Sequence, residues 1–152
     1  MSLLRVLTYG SVVSTYIMIV LGGYVSSTNS GRACPDWPLC HGQLIPPLQG
    51  NILIEYIHRL FALVVTGFVL ATMLLVWARF RRERIVLALS TASFMALVGQ
   101  IVLGMVTVQS GLDPVVATAH LGVASAVFGL VLATTAAVHY IRPERETLRT
   151  TI

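Results

Sequence analysis

The sequence contains few charged residues: only 11% of its 152 residues are Asp, Glu, Lys or Arg. A soluble domain usually carries about 25%. So little charge cannot cover a surface that faces water, whereas a surface that faces lipid needs none. This scarcity excludes an ordinary soluble domain. Hydrophobic residues instead make up 56% of the chain.

Four long apolar segments run through the chain, at about residues 6–25, 56–77, 85–108 and 115–140. Crossing a bilayer core about 30 Å thick takes about 20 mostly apolar residues in a helix. We therefore predict an all-α fold, an integral membrane four-helix bundle that forms a single domain over residues 1–152. An outer loop at 26–54 and a tail at 141–152 complete it. The first segment is too long for the core of a cleaved signal peptide, which is about 7–15 residues.

The arginines are distributed unevenly between the two ends of these segments. The positive-inside rule places both termini and the loop at 79–84 in the cytoplasm. The segments 26–54 and 109–114 then face outward, and their only arginine is Arg32. The net charge of +4 is thus a signal of topology, and no nucleic acid partner is predicted. The cytoplasmic arginines are Arg5, Arg79, Arg81, Arg82, Arg84, Arg142, Arg145 and Arg149.

The two halves of the chain resemble each other. An Ile-Val-Leu-Gly run ends at Gly22 in the first segment and at Gly104 in the third, and a Ser-Gly pair follows each. The second and fourth segments each begin with a histidine that has an alanine four residues later. This pattern predicts two parallel helical hairpins related by a pseudo-two-fold axis along the membrane normal. The histidine–alanine pairs are His58 with Ala62 and His120 with Ala124.

The repeat gives His58 and His120 a shared role, because it places them at equal depth on opposite sides of the bundle interior. Two facing imidazoles beside small residues suit axial ligation of a haem iron. Ionisable residues inside a membrane are also expensive enough to indicate function. The alternative is that each histidine hydrogen-bonds a neighbouring helix. His41 and His139 have no partner at equal depth and are interpreted as interfacial.

Glu55 and Arg59 flank His58 and have no counterparts beside His120. Residues four apart on a helix can form a surface ion pair, which is one interpretation. In the other, Arg59 binds a haem propionate or a lipid phosphate through its guanidinium. Glu55 would then lie beside the ligand and take or deliver protons. The polar residues Thr66 and Gln100 are interpreted as helix-packing contacts.

Only two cysteines occur, Cys34 and Cys40, and both lie in the predicted outer loop. Disulfides persist on that side of a membrane. The pair is either a structural disulfide or a redox-active pair that exchanges electrons or thiols. A metal site that includes His41 is less favoured, because two cysteines and one histidine leave the coordination incomplete.

The segment from Ser30 to Cys40, followed by Glu-Tyr-Ile-His-Arg at 55–59, resembles the haem A synthase family of cytochrome oxidase assembly proteins. The resemblance implies an oxidoreductase that converts the methyl group of haem o to the formyl group of haem a. It assigns Glu55, His58 and His120 to the haem site, with both histidines on the iron. It also assigns Cys34 and Cys40 to the outer-loop cysteine pair. The expected cofactors are haem b, haem o or haem a, in a multi-pass protein of a prokaryotic cell membrane.

One departure from the family concerns length. Typical members have eight spans in two similar halves, one for the substrate haem and one for a haem b cofactor. This chain resembles a half-length form, which would self-associate to offer two sites. Haem o, membrane lipid, haem O synthase and terminal oxidase subunits are the expected partners. The alternatives are a bis-histidine membrane cytochrome b for electron transfer and a haem carrier that performs no chemistry.

Overall fold

The computed structural model describes residues 3–150, and the side chains of residues 3–140. No β-strand occurs in this part of the chain, so the all-α prediction is confirmed. The elements are helix α1 (Leu3–Ser27), a short 3-10 helix (Ser30–Arg32), α2 (Gly50–Arg79), α3 (Arg84–Gln109) and α4 (Pro114–Thr150).

All four α-helices contain a stretch that is long and apolar enough to cross a membrane, and in α4 that stretch is Pro114–Tyr140. The predicted fold class, a membrane four-helix bundle, is therefore confirmed. All four helices are longer than the apolar segments that predicted them, and α2 and α4 extend furthest. Helix α2 begins at Gly50, ahead of its predicted apolar segment. Its first turns include the polar residues Asn51 and Glu55, which hydropathy alone assigns to the loop.

Helix α4 continues to Thr150, well into the predicted tail. A helix does not have to end where its apolar stretch ends, because arginine and glutamate are themselves good helix formers. The side chains of the three tail arginines lie outside the described residues, as do residues 151 and 152 altogether. Both the cytoplasmic placement of this tail and the orientation of the bundle stay predictions.

The helices pack in a ring. Helix α1 contacts α2 and α4, and α3 contacts the same two helices. We call the end of the bundle that carries residues 28–49 the disulfide end, and the end that carries the short connection between α2 and α3 the arginine end. Both α2 and α4 begin at the disulfide end, so the first turns of these helices share one level of the bundle.

The interior of the bundle is layered. A layer of valines and one leucine fills the middle, and a second apolar layer closes the arginine end. Buried serine and threonine hydroxyls lie between the two layers, and most of them donate to backbone carbonyls of their own helix, which satisfies them without water. The middle layer is Val65, Val69, Leu97, Val127 and Val131, the end layer is Leu4, Val76, Val86 and Val138, and the hydroxyls include Thr8, Ser90 and Thr135.

Equivalent hydroxyl contacts occur in the two halves. Ser11 of α1 lies 3.3 Å from Thr72 of α2, and Ser93 of α3 lies 3.2 Å from Thr134 of α4. The sequence spacing from Ser11 to Ser93 equals that from Gly22 to Gly104. Likewise, the sequence spacing from Thr72 to Thr134 equals that from His58 to His120. These two contacts have the spacing of the repeat, and the pseudo-two-fold arrangement itself stays a prediction.

Candidate functional site

The two histidines occupy matched environments near the disulfide end. A Cβ atom built on Gly22 of α1 would lie 3.3 Å from Cε1 of His58, and one built on Gly104 of α3 would lie 3.1 Å from Cε1 of His120. Each imidazole thus packs edge-on against the backbone of the preceding helix. A glycine at each contact lets the ring approach this closely, because any side chain would meet it.

The hydrogen bonding of the two rings is incomplete. The Nδ1 atoms of His58 and His120 are buried and have no hydrogen-bond partner among the described residues. Buried polar groups in proteins nearly always have a partner, so each exception calls for a reason. The interpretation in which each histidine hydrogen-bonds a neighbouring helix applies only to Nε2 of His120, which contacts Gln100. His58 makes no hydrogen bond to any described side chain or backbone group.

The donor set fits a haem better than a bare metal ion. Within the described chain, no group of three or more His, Cys, Asp or Glu side chains is positioned to hold a metal ion. A porphyrin supplies four equatorial nitrogens of its own, so it requires no more than two axial ligands from the protein. The imidazoles of His58 and His120, which have matched settings, are the candidates for these two ligands. The half-buried residues Ala62 and Ala124 lie one turn deeper and add little bulk.

The other two histidines lie elsewhere. His41 is exposed in the loop at the disulfide end, where its Nε2 contacts the carbonyl of Ala33 at 2.8 Å. His139 is exposed at the arginine end and contacts the hydroxyl of Tyr9. Neither approaches His58 or His120 through a described contact, as their interfacial interpretation requires.

Gln100 makes a contact between helices, as the sequence interpretation expected, and its partner is His120 of α4. Its Nε2 lies 3.4 Å from Nε2 of His120, and its Oε1 is buried without a partner. The two halves of the repeat differ at this position. Gln100 lies one turn before Gly104, and the residue one turn before Gly22 is Met18. Thr66, the other residue interpreted as a packing contact, donates to the carbonyl of Ala62 in its own helix at 2.7 Å.

The side chains of Glu55 and Arg59 form an ion pair in which Nε lies 2.8 Å from Oε1. Glu55 is only 4% exposed. The Nη atoms of Arg59 donate to the carbonyls of Cys34, Asp36 and Leu39 at 2.7–2.8 Å. Four of the five guanidinium N–H groups are therefore used within the protein. The ion pair that the sequence offered as one interpretation of Glu55 and Arg59 is confirmed, and binding of a propionate or lipid phosphate by Arg59 stays a prediction.

Cys34 and Cys40 form a disulfide, and no described cysteine is free. The structural-disulfide interpretation is confirmed to that extent. The two residues are 0% and 2% exposed, respectively. Thiol–disulfide exchange requires a thiolate to reach a sulfur atom, so this burial disfavours a redox-active role.

Asp36 closes the turn that follows the second cysteine. Its carboxylate accepts hydrogen bonds from the backbone N–H groups of Gly42 and His41, both at 2.6 Å. These donors, that of Gly42 first, hold the pKa of Asp36 below its ordinary value. Because the pKa is lowered, the Asp36 carboxylate stabilises the loop at pH values above the ordinary pKa of a carboxyl group. That contribution is lost only as the pH falls through the lowered pKa.

Comparison with known proteins matches this chain to a family described as cytochrome oxidase assembly protein, over residues 5–53 and 48–151. The chain belongs to this family. The resemblance predicted from the cysteine loop and the Glu-x-x-His-Arg segment is thereby confirmed. The described residues include four helices that are long and apolar enough to cross a membrane, so the chain is a multi-pass membrane protein. Its relatives come from bacteria, in agreement with the predicted prokaryotic cell membrane.

Several curated relatives are named heme A synthase. That of Bacillus pumilus is 34% identical over 129 residues, which cover 80% of this chain and 41% of the relative. That of Symbiobacterium thermophilum is 43% identical over 67 residues, 44% of this chain and 22% of the relative. That of Geobacillus kaustophilus is 28% identical over 123 residues, 81% of this chain and 39% of the relative. The chain thus spans less than half the length of these relatives.

The contacts of Gly22 and Gly104 with the two histidines lead to a first prediction. We expect Gly104→Ala to weaken haem binding by about tenfold, because overpacking a close contact usually costs about 1–3 kcal/mol. Gly22→Ala is expected to act in the same direction but less strongly, since its contact is looser. The measurement is titration of the purified protein with haem, followed in the Soret band.

Matched controls lie on the same two helices. A Cβ added at Gly23 or at Gly99 meets nothing within 4 Å. Gly23→Ala and Gly99→Ala should therefore bind haem as the wild type does. Equal losses in Gly99→Ala and Gly104→Ala would show that the effect belongs to the helix and not to the His120 contact.

A second prediction concerns Arg59 and the loop. We expect Arg59→Met to speed reduction of the Cys34–Cys40 disulfide by dithiothreitol at least about tenfold. The change removes three charge-assisted hydrogen bonds to loop carbonyls, each contributing about 1.5–3 kcal/mol. Alkylation of the released thiols and mass spectrometry give the rate. Arg32→Met is the control, because Arg32 is an exposed arginine at the same loop. Equal rates in the two variants would contradict this role of Arg59.

Proposed function

We propose that this chain is a haem A synthase-like oxidoreductase that oxidises the methyl group of haem o toward the formyl group of haem a. The observation that carries the proposal is the pair of matched, incompletely bonded histidines, each packed against a helix glycine. Membership of a cytochrome oxidase assembly family, with relatives named heme A synthase, supports this chemistry over other uses of a haem.

In this proposal, His58 and His120 would hold the iron of the substrate haem. Each histidine comes from the first turns of a different helix, so the site would lie between the two hairpins. Neutral imidazole is a good iron ligand, and the apolar surroundings favour the neutral form over the charged one. Gly22 and Gly104 fix the ring positions by backing each imidazole with backbone.

Glu55 is proposed to move protons during the reaction. It lies one turn before His58, and residues three apart on a helix share a face. Oxidation of a methyl group to a formyl group removes four electrons, which an external oxidant has to take, and it breaks C–H bonds whose protons need an acceptor in the site. The Glu55 carboxylate is buried and is held by Arg59 Nε through one oxygen, Oε1. Arg59 in turn anchors the disulfide loop, so the loop fixes the position of the carboxylate.

We further propose that copies of the chain associate in the membrane. The sequence holds four histidines, and His58 and His120 are the only two with matched settings. A second copy would supply a second haem site. Haem O synthase and terminal oxidase subunits are the proposed upstream and downstream partners.

Mass spectrometry of the haem extracted from purified protein tests the proposed reaction. The protein is expressed with a supply of haem o, and the His58→Ala variant serves as the control. Haem a, or haem o hydroxylated at the methyl group, should appear with the wild type and be absent from the control. Haem b alone, despite available haem o, would indicate an electron-transferring cytochrome b. Several unmodified haem types together would indicate a carrier.

Association is tested by mixing the wild type with an excess of a variant in one membrane. If turnover needs a second copy with a second haem site, an excess of His120→Ala should lower the turnover per wild-type chain, because that variant lacks one of the two histidines. An excess of Glu55→Gln, which keeps both histidines, should lower it less. The mixtures should also elute from a detergent column at a mass above that of one chain. Unchanged turnover per wild-type chain, together with a monomeric elution, would contradict the association proposal.

A further inference from the structure

Gln100 introduces an asymmetry into an otherwise matched site. Its carboxamide contacts Nε2 of His120 at 3.4 Å, whereas its Oε1 is buried without a partner. The equivalent position in the first half is Met18, whose thioether is a much weaker hydrogen-bonding group. The His120 side of the site therefore presents a full amide to the interior, and the His58 side does not.

The contact between Gln100 and His120 has a consequence for the imidazole. An amide N–H can donate to Nε2 only if that nitrogen carries no proton, so the ring proton then lies on Nδ1. An unprotonated Nε2 is also what an iron atom requires. An iron atom bound at Nε2 would use the same lone pair that accepts the hydrogen bond from Gln100. The Gln100 amide would therefore lose His120 as its partner when haem binds.

After that displacement, neither polar atom of Gln100 has a described protein partner. Leaving a buried polar group without a hydrogen bond destabilises the complex. A ligand with a hydrogen-bonding group within reach removes the penalty, and a ligand without one does not. Gln100 also lies one turn deeper in the membrane than Gly104, which faces His120, so water is not a ready substitute.

We propose that Gln100 is a specificity-determining residue that selects a hydroxyl-bearing haem over haem b. The inference rests on the proposed function, in which haem o is the substrate. Haem o carries a hydroxyl on its isoprenoid side chain, and haem b lacks that group. The discrimination acts in two ways, because the hydroxyl satisfies the amide and the unsatisfied amide rejects haem b.

The test compares ferric haem b with ferric haem o in equilibrium titrations of the wild type and of Gln100→Met, which gives the second half the residue of the first. The expected result is a fall of about tenfold in the ratio of the haem b Kd to the haem o Kd, the factor that one lost hydrogen bond in a buried site produces. Haem b should bind Gln100→Met no more weakly than it binds the wild type. Ser93→Ala is the control, since it removes a hydroxyl of α3 that contacts Thr134 instead of His120.

An unchanged ratio would overturn the inference. So would an equal weakening of both haems, because Gln100 would then only position His120. Gln100→Leu serves as a second variant if Gln100→Met does not give a folded protein by circular dichroism and gel filtration. These titrations require no turnover, so failure of the proposed oxidation and failure of the Gln100 inference give different results.

Discussion

His58→Ala and His120→Ala are each expected to weaken haem binding by more than about 100-fold and to abolish the six-coordinate spectrum. Loss of a residue that only supports a metal ligand already costs about 10- to 100-fold in affinity, and these histidines are the proposed ligands themselves. The remaining histidine would hold the iron from one side only. Absorption spectra and Soret titrations of the purified variants provide the measurement.

The chain offers two histidine controls. His139 lies on the same helix as His120 but is exposed at the arginine end, and His41 is exposed in the disulfide-end loop. His139→Ala and His41→Ala should keep the wild-type spectrum and affinity. If His58→Ala and His120→Ala also keep it, the two imidazoles do not ligate the haem.

Glu55→Gln is expected to retain bound haem while losing about 100-fold or more in product formation. Proton transfer by a positioned side chain contributes about 10²–10⁴-fold to a reaction rate, and an amide cannot take a proton. Glutamine keeps an oxygen that can accept from Arg59 Nε, so the loop contacts of Arg59 should survive. The haem content and the product are measured on the same preparation, by absorption and by mass spectrometry.

Glu83→Gln is the carboxylate control for this experiment, because Glu83 lies at the arginine end next to the start of α3. It should leave both haem content and product formation unchanged. Wild-type turnover in Glu55→Gln would reduce Glu55 to the ion-pair partner of Arg59. Loss of haem together with product would instead make Glu55 part of the haem-binding structure.

The four spans could be predicted because a membrane imposes a minimum apolar length, and that length is visible in the sequence. The exact helix ends could not. Gly50 begins α2 ahead of the polar residues Asn51 and Glu55, and Thr150 ends α4 beyond the apolar stretch. In both places the hydrogen-bonded helix continues through polar sequence at the membrane surface, where hydropathy carries no information about helix ends.

The candidate site could likewise be predicted only in part. His58 and His120 were found through the repeat, which relates positions that are distant in sequence. The repeat also paired Gln100 with Met18, so its asymmetry was visible in the sequence without the His120 contact being evident. The partners of Arg59 could not be predicted, because they are backbone carbonyls of a loop whose path depends on the disulfide and on the Asp36 turn.

Electron paramagnetic resonance of the ferric, haem-loaded wild-type protein tests the central claim most directly, namely that His58 and His120 hold one haem between them. The account predicts a low-spin signal typical of two imidazole ligands, at one haem per chain, that is lost in the His58→Ala/His120→Ala double variant. A high-spin signal in the wild type, or a low-spin signal that persists in the double variant, would contradict it.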